Sequence, residues 1–148
     1  MNVLLMSNTY TPFVGGVERS IRSLALGLRQ EGHRAVVVAP TFPNMPANEH
    51  DVVRVPAIQR FNGTDFSVQL PVPGVLSRLL SEWRPDVIHS HHPYLIGDTA
   101  MRLAARFQCP IVFTFHTYYE RYTHYVPGDS PALKRFVAAL SADRKSVV

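Results

Sequence analysis

Cysteine is nearly absent: Cys109 stands alone in 148 residues, which excludes an internal disulfide framework and any cysteine-rich zinc site. That usage suits a reducing compartment, and the expected location is the cytoplasm. Long apolar runs are missing too. The N-terminal stretch from Met1 to Phe13 has no basic segment, and its apolar run Val3-Leu4-Leu5-Met6 ends at Ser7 and Asn8, too short for a signal peptide or a membrane span. Both lysines lie near the C-terminus and no basic run is interleaved with aromatics, so nucleic acid is not an expected partner. The net charge of +4 is a mild excess that suits a phosphorylated ligand or an anionic lipid surface.

Several catalytic signatures are absent as well. Neither GxGxxG nor GxxxxGK followed by Ser or Thr occurs, and there is no GxSxG elbow, which removes the dinucleotide fingerprint, the P-loop and the usual acyl-transfer nucleophile. Glycoside hydrolysis needs two carboxylates facing one cleft, and the expected strand ends offer none. No internal repeat or low-complexity tract interrupts the chain. With 46% apolar and 18% charged residues, the composition is that of one folded domain rather than a disordered segment.

What is present is an alternation of short buried strands and amphipathic helices. Val3–Met6 and Ala35–Ala39 are uninterrupted apolar runs, the pattern of strands covered on both faces of a parallel sheet. Between them Val17, Ile21, Leu24, Ala25 and Leu28 recur with helical spacing, while Glu18, Arg19, Arg22, Arg29 and Gln30 take the opposite side. Gly32 supplies the helix stop. Six of the twelve prolines fall between Pro40 and Gly74, so that stretch is expected to be mostly loop, with Val52–Val55 its one strand. A helix over Val75–Trp83 ends at Arg84-Pro85 before a strand over Asp86–His89. A helix through Ile96–Phe107 leads to a strand over Ile111–Phe115. An aromatic loop from Tyr118 to Val126 and a helix opened by Asp129-Ser130-Pro131 follow. The alternation predicts an α/β fold: a Rossmann-like, doubly wound parallel sheet with helices on both faces.

In such a sheet ligands bind beyond the carboxyl ends of the strands, and three places there carry chemistry. After the first strand, Gly15 and Gly16 open a helix, where exposed amides and the helix dipole favour an anion such as a diphosphate; a Gly-Gly turn is equally an ordinary way into a helix. After the fourth strand comes His89-Ser90-His91-His92, and after the fifth, Phe115-His116-Thr117. Alternation turns His89 inward, as a hydrogen-bonded core histidine. His91 and His116 are expected to face the cleft and to donate to a sugar hydroxyl or a phosphate. These imidazoles, with Asp98 the nearest carboxylate, leave a zinc site as an open alternative.

Three motifs in order, Pro12-x-x-Gly15-Gly16-Val17-Glu18, Arg84-Pro85-Asp86-Val87-Ile88-His89-Ser90-His91 and Val112-Phe113-Thr114-Phe115-His116-Thr117, resemble the N-terminal half of the retaining GT-B glycosyltransferases of family 4. The likeness runs from Met1 to about Leu140. The segment from Phe115 to Pro127 further resembles the diacylglycerol glucosyltransferase branch. The resemblance implies metal-independent transfer of a sugar from a nucleotide-sugar to an acceptor hydroxyl, with retention and no cofactor. It implies that Gly15 and Gly16 bind the donor diphosphate, with His91 and His116 as catalytic residues beside the reacting sugar.

Residues 1–148 are then expected to form a single acceptor-side Rossmann-like domain, the donor-binding C-terminal domain of the GT-B fold being absent together with its two glutamates eight positions apart. Alone, this chain is expected to be inactive and to pair with its missing half or with itself. The acceptor is a lipid or a glycan, with peripheral contact at the inner face of the membrane. Arg60, Phe61, Phe66, Tyr118 and Arg121 are its candidate contacts. Two further alternatives are a stand-alone ligand-binding or interaction module without turnover, and a histidine-rich metal protein.

Overall fold

The computed structural model describes residues 1–58, 68–69, 73–116 and 131–145. In chain order the elements are β1 (Asn2–Met6), α1 (Gly16–Gln30), β2 (Arg34–Pro40), β3 (Val52–Val55), β4 (Ala57–Ile58), β5 (Val68–Gln69), α2 (Pro73–Glu82), β6 (Val87–Ser90), α3 (Ile96–Phe107), β7 (Ile111–Phe113) and α4 (Pro131–Lys145). Five strands form one parallel sheet in the order β3-β2-β1-β6-β7. The chain winds outward from β1 in one direction, then restarts at β6 on the other side of β1. The α/β, doubly wound Rossmann-like sheet is therefore observed, and its topological switch point lies between β1 and β6.

Alternation along the central strands sorts their side chains onto two cores. Leu4 and Met6 of β1, with Val36 and Val38 of β2, meet Leu76 and Leu80 of α2, Trp83, and Ile96, Ala100 and Leu103 of α3. On the other face Val3, Leu5, Ala35, Val37 and Ala39 meet Ile21 and Ala25 of α1. Both faces of β1 and β2 are thus covered, which is why these strands read as continuous apolar runs. Each fully buried branched side chain contributes on the order of 2 kcal/mol.

The end of α1 follows directly from Gly32. Its φ of +78° lets the Gly32 N–H donate to the Arg29 carbonyl at 3.0 Å and the His33 N–H to the Leu28 carbonyl at 2.9 Å, a Schellman closure that delivers the chain into β2.

Two expectations need correction. The fifth strand of the sheet ends at Phe113 rather than Phe115. Its partner β6 stops at Ser90, whose register mate is Phe113; beyond it the Thr114 hydroxyl pairs with His89 Nε2 at 2.8 Å. The Pro40–Gly74 stretch holds, besides β3, the antiparallel pair β4 and β5; residues 59–67 and 70–72 lie outside the described residues.

Candidate active site

Because β1, β6 and β7 run parallel side by side, the segments that follow them emerge at one edge of the sheet. Gly15 and Gly16 follow β1, His91 and His92 follow β6, and His116 lies three residues beyond β7. The first two groups flank the switch point, the place where ligands of open α/β sheets bind.

The β1–α1 side is open. Gly15 is the N-cap of α1, extended at φ −153° and ψ 177°, and no side chain caps the helix among the described residues. The first amides of α1 therefore keep their donor capacity and the positive end of the helix dipole. A Cβ added to Gly15 or Gly16 would meet nothing described within 4 Å, and neither glycine has a positive φ. Neither packing nor backbone conformation demands glycine at these positions. A ligand lying against the backbone would.

The β6–α3 side is closed. His91, expected to face the cleft, is only 1% exposed. The ladder between β1 and β6 runs one rung past Ser90, the His91 N–H donating to the Met6 carbonyl at 2.9 Å. The imidazole stacks on His89 at 4.3 Å between ring centres and on His116 at 5.3 Å. His91 Nδ1 and His116 Nε2 share a hydrogen bond of 3.0 Å, so one ring supplies the proton and the other the lone pair. His91 Nε2 is buried without a partner among the described residues.

The structure thus brings His91 and His116 together, with His89 beside them. Burial holds His91 far down, at about 3, helped by the neighbouring His89, His116 and His92. His89 is lowered by burial and then by His116, and His116 by burial alone. Near neutral pH the cluster is uncharged, a set of directional donors and acceptors rather than a cationic patch.

Three side chains escaped sequence reasoning. His92 Nδ1 accepts the Asn8 N–H at 3.2 Å, which fixes its neutral tautomer with the proton on Nε2, and burial pushes it down to about 4. Asn8 is itself buried, with Oδ1 unpartnered among the described residues. Glu18 was expected on the outer face of α1 but is 1% exposed. It belongs to the first turn, beside the loop that enters the helix, and is close enough to Tyr10 for its charge to act on the phenol. One of its oxygens accepts from Arg22 at 3.3 Å; the other has no partner among the described residues. No periodicity signals such burial, because a helix stripe describes the body of a helix and not the turn beneath its entering loop.

Arg60, Phe61, Phe66, Tyr118 and Arg121 lie outside the described residues. Among the described residues no three His, Cys, Asp or Glu side chains are grouped to hold a metal ion, and no helix is long and apolar enough to cross a membrane.

The profile of Glycosyltransferase Family 4 matches residues 14–145. The chain is 34% identical over 140 residues to an alpha-monoglucosyldiacylglycerol synthase of Acholeplasma laidlawii, covering 92% of this chain and 34% of that protein. It is 28% identical over 127 residues to a protein of the same name from Streptococcus pneumoniae, covering 85% of the chain and 29% of the relative. A GDP-mannose-dependent alpha-mannosyltransferase of Corynebacterium glutamicum is 28% identical over 122 residues, covering 79% and 29%. The chain spans about a third of the length of these curated relatives.

Proposed function

The chain belongs to glycosyltransferase family 4, and from that premise we propose that it is the acceptor-side domain of an enzyme that moves a sugar from a nucleotide-sugar to an acceptor hydroxyl with retention. One observation carries the reading: two glycines that neither packing nor φ requires stand at an uncapped helix N-terminus beside the switch point. Backbone amides there offset the negative charge that grows on a departing diphosphate, an electrostatic role that needs no metal ion.

His91 and His116 take the second part. As a neutral, hydrogen-bonded pair they would act together, the partly exposed His116 meeting a hydroxyl of the reacting sugar or of the acceptor and the buried His91 setting its tautomer from behind. Their shared proton couples the tautomer of one ring to the contact made by the other. The acceptor we favour is a diacylglycerol-type lipid, since two relatives are named for that product, and the domain would then work against the inner face of the membrane. Arg60, Phe61, Phe66, Tyr118 and Arg121 remain the proposed acceptor contacts, aromatic bodies and guanidinium heads being suited to a headgroup boundary. The donor-binding half would be a second domain, whose place along the relatives lies outside the aligned third.

The test is a transfer assay on a two-domain protein carrying this chain as its first half. Nucleotide-sugars are offered with diacylglycerol in anionic vesicles or with soluble glycans, with and without a chelator. Chelator-insensitive transfer to lipid is expected, together with no useful turnover by residues 1–148 alone, because orientation across a two-domain cleft supplies roughly 7–11 kcal/mol of the barrier. Transfer to glycans only would redirect the acceptor, and robust turnover by the isolated chain would contradict the two-domain reading.

A further inference from the structure

On the side of the β1–α1 loop away from the histidines lies a compact polar cluster that the transfer chemistry has not used. Arg54 of β3 and Glu49 of the loop before it are nearly buried, with side chains 10% and 11% exposed. The guanidinium meets the carboxylate in a two-pronged pair, Nε to Oε2 at 2.6 Å and Nη2 to Oε1 at 2.6 Å. The same guanidinium reaches two other segments. Nη2 donates to the Thr11 carbonyl at 2.7 Å and contacts its hydroxyl at 3.2 Å, and Nη1 donates to the Pro40 carbonyl at 2.8 Å. The Thr11 hydroxyl in turn donates to Glu49 Oε1 at 3.0 Å, and the guanidinium lies 5.6 Å from the centre of the Tyr10 ring.

One planar fork therefore ties the end of β2, the loop before β3 and the loop that carries Gly15 and Gly16. Burial alone would raise the Glu49 carboxyl, yet the hydrogen bond and charge of Arg54, with the Thr11 hydroxyl, hold it below its ordinary value. The pair is ionised at neutral pH. A nearly buried ion pair is a poor source of net stability, since apolar residues of similar volume often do as well. What apolar residues cannot supply is the directed set of donors on Thr11, four positions before Gly15.

We propose that Arg54 and Glu49 are positioning residues, a clamp that holds the Tyr10–Thr11 segment so that the Gly15 and Gly16 amides are fixed for an anionic ligand. The proposal rests on the diphosphate reading of those glycines for its consequence, but not for its geometry. Neither residue touches the ligand. The clamp is also specific to arginine, because lysine offers a point charge in place of the fork.

The experiment uses the 148-residue chain labelled with nitrogen-15, as wild type, as Arg54→Lys, and as the apolar double variant Arg54→Met with Glu49→Leu. Melting temperature, backbone order parameters at Thr11 to Gly16, and amide shifts on titration with inorganic pyrophosphate are measured for each. The double variant is expected to melt within about 4 °C of wild type, while order at Gly15 and Gly16 falls from near 0.85 toward 0.6 in both variants. Pyrophosphate affinity is expected to fall at least tenfold. Wild-type order at Gly15 and Gly16 in a folded double variant would overturn the clamp, and so would full order in Arg54→Lys, which keeps the charge and decides the matter if the double variant does not fold. If wild type shows ordered glycines that loosen in the variants but no pyrophosphate shift, the clamp stands and the diphosphate reading fails.

Discussion

The loops after β1 and β6 leave neighbouring strands at the same edge of the sheet, yet they are built in opposite ways. The first ends in Gly15 and Gly16 with open space where side chains would be. The second is packed shut around His91 and leads into the first turn of α3 at Gly97, where an added Cβ would sit 2.6 Å from the His92 carbonyl oxygen and 3.3 Å from the Phe113 ring. Glycine serves close packing at one helix entry and leaves open space at the other. The lesson is that a residue type at a strand end acquires its meaning from what surrounds it.

That contrast can be broken most severely on the closed side. His91→Ala removes a buried ring, its stacking on His89 and His116, and the partner of His116 Nε2. We expect a loss of about 3 kcal/mol from the cavity and the broken hydrogen bond, measured by urea unfolding. A change within about 0.5 kcal/mol would mean that His91 is not built into the core. Loss of transfer in that variant then has to be read against its folded fraction, and His91→Gln is the cleaner probe of chemistry.

Gly97→Ala should cost about 1–3 kcal/mol, because the loop carbonyl must shift to admit the methyl group. Thermal melting checks it, and an unaltered melting temperature would show that the loop gives way freely.

Acid offers a graded version of the same test. An unfolded histidine takes up a proton near its ordinary value of 6.5, whereas folded His91 resists down to about 3 and His92 to about 4. Both folded values are depressed, so their contribution to stability is fully present above 6.5 and is lost as pH falls toward the folded values. The slope should approach 1.4 kcal/mol per pH unit for each histidine held neutral. Urea midpoints at pH 7.5 and 5.5 should differ in that direction; equal midpoints, or greater stability at 5.5, would contradict the buried neutral cluster.

The smallest stability effect is expected on the open side. Gly16→Ala places a methyl group in vacant space and favours the helix, so folding should change by less than about 1 kcal/mol, in the stabilising direction. Donor binding by a two-domain protein should nevertheless weaken at least tenfold, and unchanged donor affinity would return Gly16 to the role of an ordinary helix entry.

Much of this was legible before any coordinates. Val3–Met6 and Ala35–Ala39 announce themselves because burial on both faces leaves no polar alternation, and parallel strands then place the glycines and histidines on one edge without further information. Periodicity carried less of what depends on distant partners. His91 is closed in by the rings of His89 and His116, the latter 25 positions away in sequence, and Glu18 is buried although it stands on the polar side of the helical stripe. The Arg54 fork reaches Thr11 across 43 positions of sequence, where no local pattern registers. The expected fifth strand overruns β7 by two residues because β-forming residues continue through Phe115, while the partner strand β6 ends at Ser90.

In the proposed function the amides of Gly15 and Gly16 receive the donor diphosphate. The most direct measurement is titration of a nucleoside-diphosphate sugar into the nitrogen-15-labelled chain, following every assigned backbone amide. Gly15 and Gly16 are expected to shift first and furthest, with an affinity of about millimolar, roughly 4 kcal/mol, when no second domain holds the nucleotide. Shifts confined to residues 91–97, with Gly15 and Gly16 unmoved at saturation, would contradict that role.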